Sequence, residues 1–288
     1  MPGGQVTSPT IGSLCSGLGG LDLAAVEVFG GRLAWWADID PAAIAVMTAY
    51  HPSAPNLGDV TATDWQTVPP VDVLTAGYPC QPFSHAGRRL GTEDPRHLWP
   101  WIASAIRVLR PRVIVLENVA GHLRRGADVV FADLAEAGYL FAWAVVSAGD
   151  VGAPHLRRRL FVVAADPTRD VPRGRLVGGP PGRAQPSDGD SALGGGLDWG
   201  KYSDAVRGWE HALRRVAPAP AFETERGTYL LTAPFVEWLM GLAPGYVAEM
   251  PGLSRAQKLR LLGNGVVPQQ AASAVCLLLP QLASAQPA

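Results

Sequence analysis

Apolar positions in this chain fall into short β-like runs alternating with stretches at helical spacing. Residues 10–14 form an apolar run ending in a glycine-rich turn, and residues 21–29 follow with a helical pattern. The pair recurs at 32–37 and 41–50, with Pro41 at a position tolerated in a first helical turn. Residues 71–76 and 112–116 read as further strands, with a helix over 98–109 between them. A helix over 129–137, ended by Gly138, and two β-leaning runs at 139–147 and 160–165 complete the series. Strands alternating with helices predict an α/β class: a Rossmann-like, mostly parallel sheet with helices on both faces.

The pattern then breaks. From 166 to about 200 the chain is rich in Gly, Pro, Arg and Asp and has little periodicity, and so long a loop in a compact domain is usually either functional or disordered. A short amphipathic piece covers 204–216, and regular structure resumes at 234–242. Residues 254–262 and 267–282 are expected to be helices separated by Gly263-Asn264-Gly265, the second packing beside the first strand. This divides the chain into a unit over 1–166, a small irregular region over 167–228, and a segment over 229–288 that returns to the first unit.

Composition narrows the class. Hydrophobic residues make up 48% and charged residues 17%, enough to bury a core. The three cysteines, Cys15, Cys80 and Cys276, are too few and too far apart for a disulfide framework or a zinc site. No metal is expected, and the chain reads as cytoplasmic. No apolar run reaches membrane-spanning length, so no membrane partner is expected. Net charge is −1, but its distribution is uneven. Residues 1–75 carry one basic side chain against seven acidic ones, whereas residues 76–175 carry fourteen arginines against nine acids. A basic middle suits a face that meets a polyanion; it equally suits a coding bias for Arg over Lys.

Two constellations carry candidate chemistry. Ser16-Gly17-Leu18-Gly19-Gly20 follows the first strand and opens a helix, where backbone N–H groups can approach a ligand closely. Asp22 stands where a dinucleotide fingerprint wants glycine, which argues against a dehydrogenase. Asp38 ends the second strand, where a carboxylate accepts from ribose hydroxyls, and Asp59 follows Gly58, where an acid could accept an adenine amino group. Each of Asp38, Asp40 and Asp59 is alternatively a helix cap or loop acid. The second constellation is Pro79-Cys80-Gln81-Pro82, a thiol held between prolines after a strand, and Glu117-Asn118-Val119 at the end of the next strand. Neighbouring parallel strands end on one side, so Cys80 and Glu117 can face one small ligand.

These motifs, with Arg157-Arg158-Arg159 and Gly263-Asn264-Gly265-Val266 in the same order, resemble the DNA (cytosine-5) methyltransferase family along nearly the whole chain except about 167–228. The resemblance implies the methyltransferase fold and S-adenosyl-L-methionine as cofactor, held by Ser16, Gly17, Leu18, Gly19 and Gly20 of the turn. Asp38, Ile39, Asp59, Val60, Pro79 and Asn264 would complete that pocket. It implies Cys80 as the nucleophile that adds to carbon 6 of cytosine, Glu117 as the acid at ring nitrogen 3, and Arg157 and Arg159 beside the catalytic pocket and the DNA backbone. A thiolate suits addition to an electron-poor ring because it attacks well and leaves again. The target atoms lie inside the duplex, so the base must be flipped out. The loop after Cys80 would close over double-stranded DNA through Ser84, Arg88, Arg89 and Arg96. Residues 167–228 would read sequence through contacts such as Lys201 and Arg207. A monomer is expected, with a cognate restriction endonuclease as a possible partner. Two alternatives remain at this point: a catalytically silent DNA-binding relative, and methylation of RNA at the same carbon.

The match is imperfect in places. Ser13 and Cys15 stand where relatives often have an acid and an aromatic, His155 where Gln is frequent, Gly265 where Ser is common, and Ile39 where an aromatic is usual.

Overall fold

A computed structural model describes residues 8–79, 98–172 and 197–283. Six strands form one sheet: β1 (Thr10–Leu14), β2 (Arg32–Ala37), β3 (Val73–Ala76), β4 (Val113–Val119), β5 (Leu140–Val146) and β6 (Arg159–Ala165), in the order β2-β1-β3-β4-β6-β5. The β1–β2, β1–β3 and β3–β4 pairs are parallel, while β6 runs antiparallel to both β4 and β5. The reversal goes with the connection between β5 and β6, which holds only a single 3-10 turn, Ala148–Val151, in place of the long helical crossover that a parallel pair needs. The sheet is therefore mostly parallel, as the strand–helix alternation predicts, with one reversed strand.

Side chains alternate cleanly across the sheet. Leu74, Ile114, Leu116, Leu160 and Val162 face a core shared with α3 (Trp99–Leu109) and α4 (Ala127–Glu136). Val73, Val113, Val115, Phe161 and Val163 face the opposite core, shared with α1 (Gly20–Phe29) and α8 (Pro268–Ala283). Strands buried on both faces read as continuous apolar runs, which is why their period was visible as length rather than as alternation.

A third cluster joins α2 (Pro41–Tyr50) to α5 (Ser203–Leu213), α6 (Ala233–Leu239) and α7 (Arg255–Asn264) through Val46, Trp209, Trp238 and Leu262. Trp209 Nε1 donates to the Trp238 carbonyl, fixing α5 on α6. A small exposed hairpin, β7 (Ala221–Glu223) with β8 (Tyr229–Leu231), lies outside this cluster.

Two expectations need correction. The helix α7 continues through Gly263 and Asn264 and is capped only at Gly265, so these residues are the end of a helix rather than a linker. The final helix packs on α1, β5 and β6, not beside β1. The β5–β6 pair extends the sheet beyond β4 and leaves its apolar face open to α8. The apolar stretch Arg255–Leu282 is long enough to cross a bilayer by length and composition, but its helix ends at Gly265 and 67% of its most apolar 18-residue window is buried in the fold.

Candidate active site

Strands β1 to β4 all end at the same edge of the sheet, and β6 begins there. A cavity of about 580 Å³ opens at this edge. That is the usual size and place for a small-molecule ligand on an open α/β sheet.

The glycine turn forms one wall. Gly17 has φ 57° and Gly19 has φ 80°, conformations that favour glycine. Gly20 is glycine for another reason: a Cβ there would run into the Val266 carbonyl oxygen. Ser16, Gly17 and Gly20 line the cavity, but Leu18 and Gly19 do not. Leu18 is buried in the third core, and its carbonyl accepts from the Tyr246 hydroxyl at 3.0 Å.

Asp38 locks this turn to the next. Its carboxylate accepts from Gly17 N and Asp40 N, both at 2.8 Å. Burial raises its pKa, and the two backbone donors oppose the rise. Asn56, unnoticed in the sequence, ties the neighbouring loops: its Oδ1 accepts from Asp38 N and Gly58 N, and its Nδ2 donates to the Asp38 carbonyl. Asp40 caps α2 by accepting from Ala42 N and Ala43 N, and it also pairs with Arg260 at 2.7 Å. Ile39, Asp59, Val60, Pro79 and Asn264 line the same cavity, and Ile39 is 67% exposed at its mouth.

Sequence reasoning missed the cavity floor. Asp22 is 1% exposed, and its carboxylate accepts from Ser13 Oγ at 2.8 Å and Thr75 Oγ1 at 2.5 Å. Burial lifts its pKa to about 6 against those two hydroxyl donors. Its first-turn position on α1 points it back beneath the glycine turn, next to Ser13.

The opposite wall holds Glu117 and Arg159. Val119 pairs with Arg159 across β4 and β6, so Glu117 and Arg159 lie diagonally on one face of the sheet. Arg159 Nε sits 2.9 Å from Glu117 Oε1. Burial raises the Glu117 pKa to about 7, opposed by the charges of Arg159 and Arg157. At neutral pH this side chain therefore holds a proton part of the time and can donate it to a buried acceptor.

Arg158 is exposed. Arg157 does not line the cavity; its guanidinium is bound to the carbonyls of Gly263 and Gly265. His155 Nε2 donates to the Leu239 carbonyl at 2.9 Å.

Asn118 positions the approach to the thiol loop. Its Nδ2 donates to the Tyr78 carbonyl at 3.2 Å, holding the β3 exit against β4 two residues before Cys80. Tyr78 is also fixed by its hydroxyl at 3.0 Å from His122 Nε2 and by packing on Trp99. Cys80 itself, and Ser84, Arg88, Arg89 and Arg96, lie outside the described residues. Cys15 is no substitute nucleophile: burial, then Asp38 and Asp59, push its thiol up to about 12. In the region expected to read sequence, Lys201 is exposed over the Tyr202 ring and Arg207 pairs with Asp204. Among the described residues no group of three His, Cys, Asp or Glu side chains is placed to hold a metal.

The fold and cavity define an α/β protein with a cleft at the strand-end edge of its sheet, lined by a glycine turn on one side and a buried carboxyl group on the other. Comparison with known proteins specifies the family. The profile of the C-5 cytosine-specific DNA methylases matches residues 10–180, and the chain belongs to that family.

Among relatives, the type II methyltransferase M.NlaIV of Neisseria lactamica is 34% identical over 140 residues, covering 44% of this chain and 33% of that protein. M.MspI of Moraxella sp is 29% identical over 284 residues, covering 88% of this chain and 66% of that protein. The chain thus spans a third to two thirds of the length of these relatives. Among solved structures, S. pombe Dnmt2 methyltransferase superposes with TM-score 0.63 at 18% identity, over 95% of this chain and 99% of that one. A putative DNA modification methyltransferase from an E. coli prophage superposes with TM-score 0.64 at 18% identity, over 96% of this chain and all of that one. Both share the fold.

Proposed function

We propose that the protein transfers a methyl group from S-adenosyl-L-methionine to carbon 5 of cytosine in double-stranded DNA, through a covalent adduct of Cys80 on a flipped-out base. The observation that carries this reading is the position of Glu117. It is a buried carboxylate with a pKa near neutrality, held by Arg159 in the cavity that the glycine turn also lines.

The residues present fit the cofactor. Asp38 and Asp59 offer acceptors for sugar hydroxyls and a base amino group, Ile39 and Val60 an apolar surface for a ring, and the acidic wall a match for a cation. When bound, S-adenosyl-L-methionine supplies the methyl group. On the protein side, Cys80 adds its thiolate sulfur to carbon 6 while Glu117 donates a proton to ring nitrogen 3. The C6–S bond forms, and the ring electrons become available at carbon 5. Once carbon 5 carries the methyl group, a base takes its proton, the C5–H electrons restore the ring double bond, the sulfur leaves carbon 6 as thiolate, and Glu117 takes back the proton from ring nitrogen 3. Arg159 keeps the carboxyl oriented toward the ring and limits how far burial raises its pKa. A thiol and a carboxyl thereby divide one difficult substitution into addition and elimination.

In this reading residues 1–166 form the catalytic unit, 167–228 the target-recognition region, and 229–288 the segment that returns to complete the cofactor pocket through Asn264. Arg88, Arg89, Arg96, Lys201 and Arg207 contact the DNA, the protein acts as a cytoplasmic monomer, and a restriction endonuclease is its proposed partner. The type II names of its relatives support the last point.

The test is transfer of labelled methyl to duplex DNA and, in parallel, to tRNA. Label on carbon 5 of DNA cytosine, lost in Cys80→Ala, supports the reading. Label on tRNA alone would change the substrate class, and label on neither would reject catalysis and leave a DNA-binding relative.

A further inference from the structure

Arg157 holds an unusual position. It stands just before β6 with φ 27°, in a region that residues with a Cβ seldom adopt. Its backbone carbonyl accepts from Gln270 Nε2 at 2.8 Å, and the same nitrogen donates to the Val146 carbonyl. Gln270 is fully buried in the first turn of α8.

The side chain reaches the other way. Arg157 Nη2 donates to the Gly263 carbonyl at 2.9 Å and to the Gly265 carbonyl. The last carbonyls of a helix have no intrahelical partner. At the end of α7 the Gly265 N–H closes on Leu261 and Leu262, and Gly263 is satisfied from 106 residues away by Arg157. A cation at that end also sits favourably in the helix dipole. The capped helix lines the cavity through Arg260, Leu261, Gly263 and Asn264. Two residues past Arg157, Arg159 holds Glu117 on the opposite wall.

We infer that Arg157 is a positioning residue: it caps α7 and so fixes the Asn264 wall of the cavity relative to the Glu117–Arg159 pair. This rests on the cofactor reading above and departs from the family resemblance, which would put Arg157 beside the DNA. The geometry leaves the guanidinium engaged with the protein's own backbone and outside the cavity. Its job is therefore done before any DNA arrives.

The experiment measures binding of S-adenosyl-L-homocysteine to the full chain without DNA, by calorimetry, for wild type, Arg157→Met and Arg157→Lys. The Met variant is expected to bind at least tenfold more weakly. The Lys variant recovers part of the loss, because an ammonium can still donate to one of the two carbonyls. KM for the cofactor rises in the same proportion, while KM for duplex DNA and its salt dependence stay unchanged. Leu134→Ala, in the core of the opposite face, serves as the stability control and should lower Tm without weakening the cofactor.

A Met variant that binds like wild type overturns the inference, as does a loss no larger than in Leu134→Ala. Unchanged cofactor binding with weaker DNA binding and a shallower salt slope would make Arg157 a phosphate contact instead. If the Met variant does not fold, the Lys variant decides by the same criteria. A wild type that does not bind the analogue overturns the cofactor reading itself, and this inference with it.

Discussion

Replacing Glu117 with Gln tests whether burial or ion pairing governs the central carboxyl. Glu117 is 8% exposed and lies 2.9 Å from Arg159 Nε. An ion pair alone would lower its pKa, yet burial outweighs both arginines and raises it from 4.5 to about 7. At ~1.4 kcal/mol per unit, that rise corresponds to about 3 kcal/mol. The folded chain holds this proton more tightly than the unfolded chain. The stability that Glu117 contributes is therefore fully present below pH 4.5 and is lost as pH rises through about 7. Gln has nearly the same shape and does not titrate, so other groups cancel in the comparison. Urea denaturation of both proteins across this range should show wild type losing about 3 kcal/mol relative to Glu117→Gln as pH rises. A difference that is flat, or that grows in favour of wild type with pH, would refute the reasoning. In that case Glu117 would be an anion at neutral pH and could not serve as the proton donor.

Three further outcomes follow from the packing around the cavity. Gly20→Ala forces a Cβ against the rigid Val266 carbonyl, so it should lower unfolding stability by about 1–3 kcal/mol in urea melts; a neutral effect would mean the corner yields. Asp38→Ala frees Gly17 N and Asp40 N and should weaken S-adenosyl-L-homocysteine at least tenfold by calorimetry, whereas an unchanged Kd would remove Asp38 from the pocket. Glu237→Gln disturbs a buried carboxylate that accepts from Gly245 N, Val247 N and Ala248 N. With charged hydrogen bonds worth roughly 1.5–3 kcal/mol each, it should cost about 2 kcal/mol, and a Tm equal to wild type would contradict that.

Much of this architecture was legible in the chain because apolar runs of strand length alternate with stretches at helical spacing, and several of them stop at a glycine such as Gly30 or Gly138. Among the described residues, the six strands of the main sheet and the helices α1 to α4, α7 and α8 lie within a few residues of their predicted places, and α5 and α6 fall where only an amphipathic piece and regular structure were expected. The β7–β8 hairpin was not legible, because its strands are three residues long and largely exposed and so carry no burial pattern. The placement of α8 on β5 and β6 depends on the reversal of β6, which only the lack of an α-helix between β5 and β6 hints at. In the site, the turn, Asp38, Asp59 and Glu117 could be read because strand ends fix where they point. Asp22, Thr75 and Asn56 could not, since their partners come from other strands and loops. The Arg157 cap lay beyond local reading for the same reason: a residue's neighbours in the chain say nothing about carbonyls more than a hundred residues away.

The claim that matters most is that Cys80 attacks the base. Duplex DNA made with 5-fluorocytosine tests it directly, because fluorine at carbon 5 cannot leave as a proton and the adduct is trapped. Incubation with S-adenosyl-L-methionine should give a denaturation-resistant protein–DNA complex, mapped by mass spectrometry to Cys80 and absent from Cys80→Ala. The absence of any adduct, or a crosslink at Cys15 or Cys276, would contradict the account.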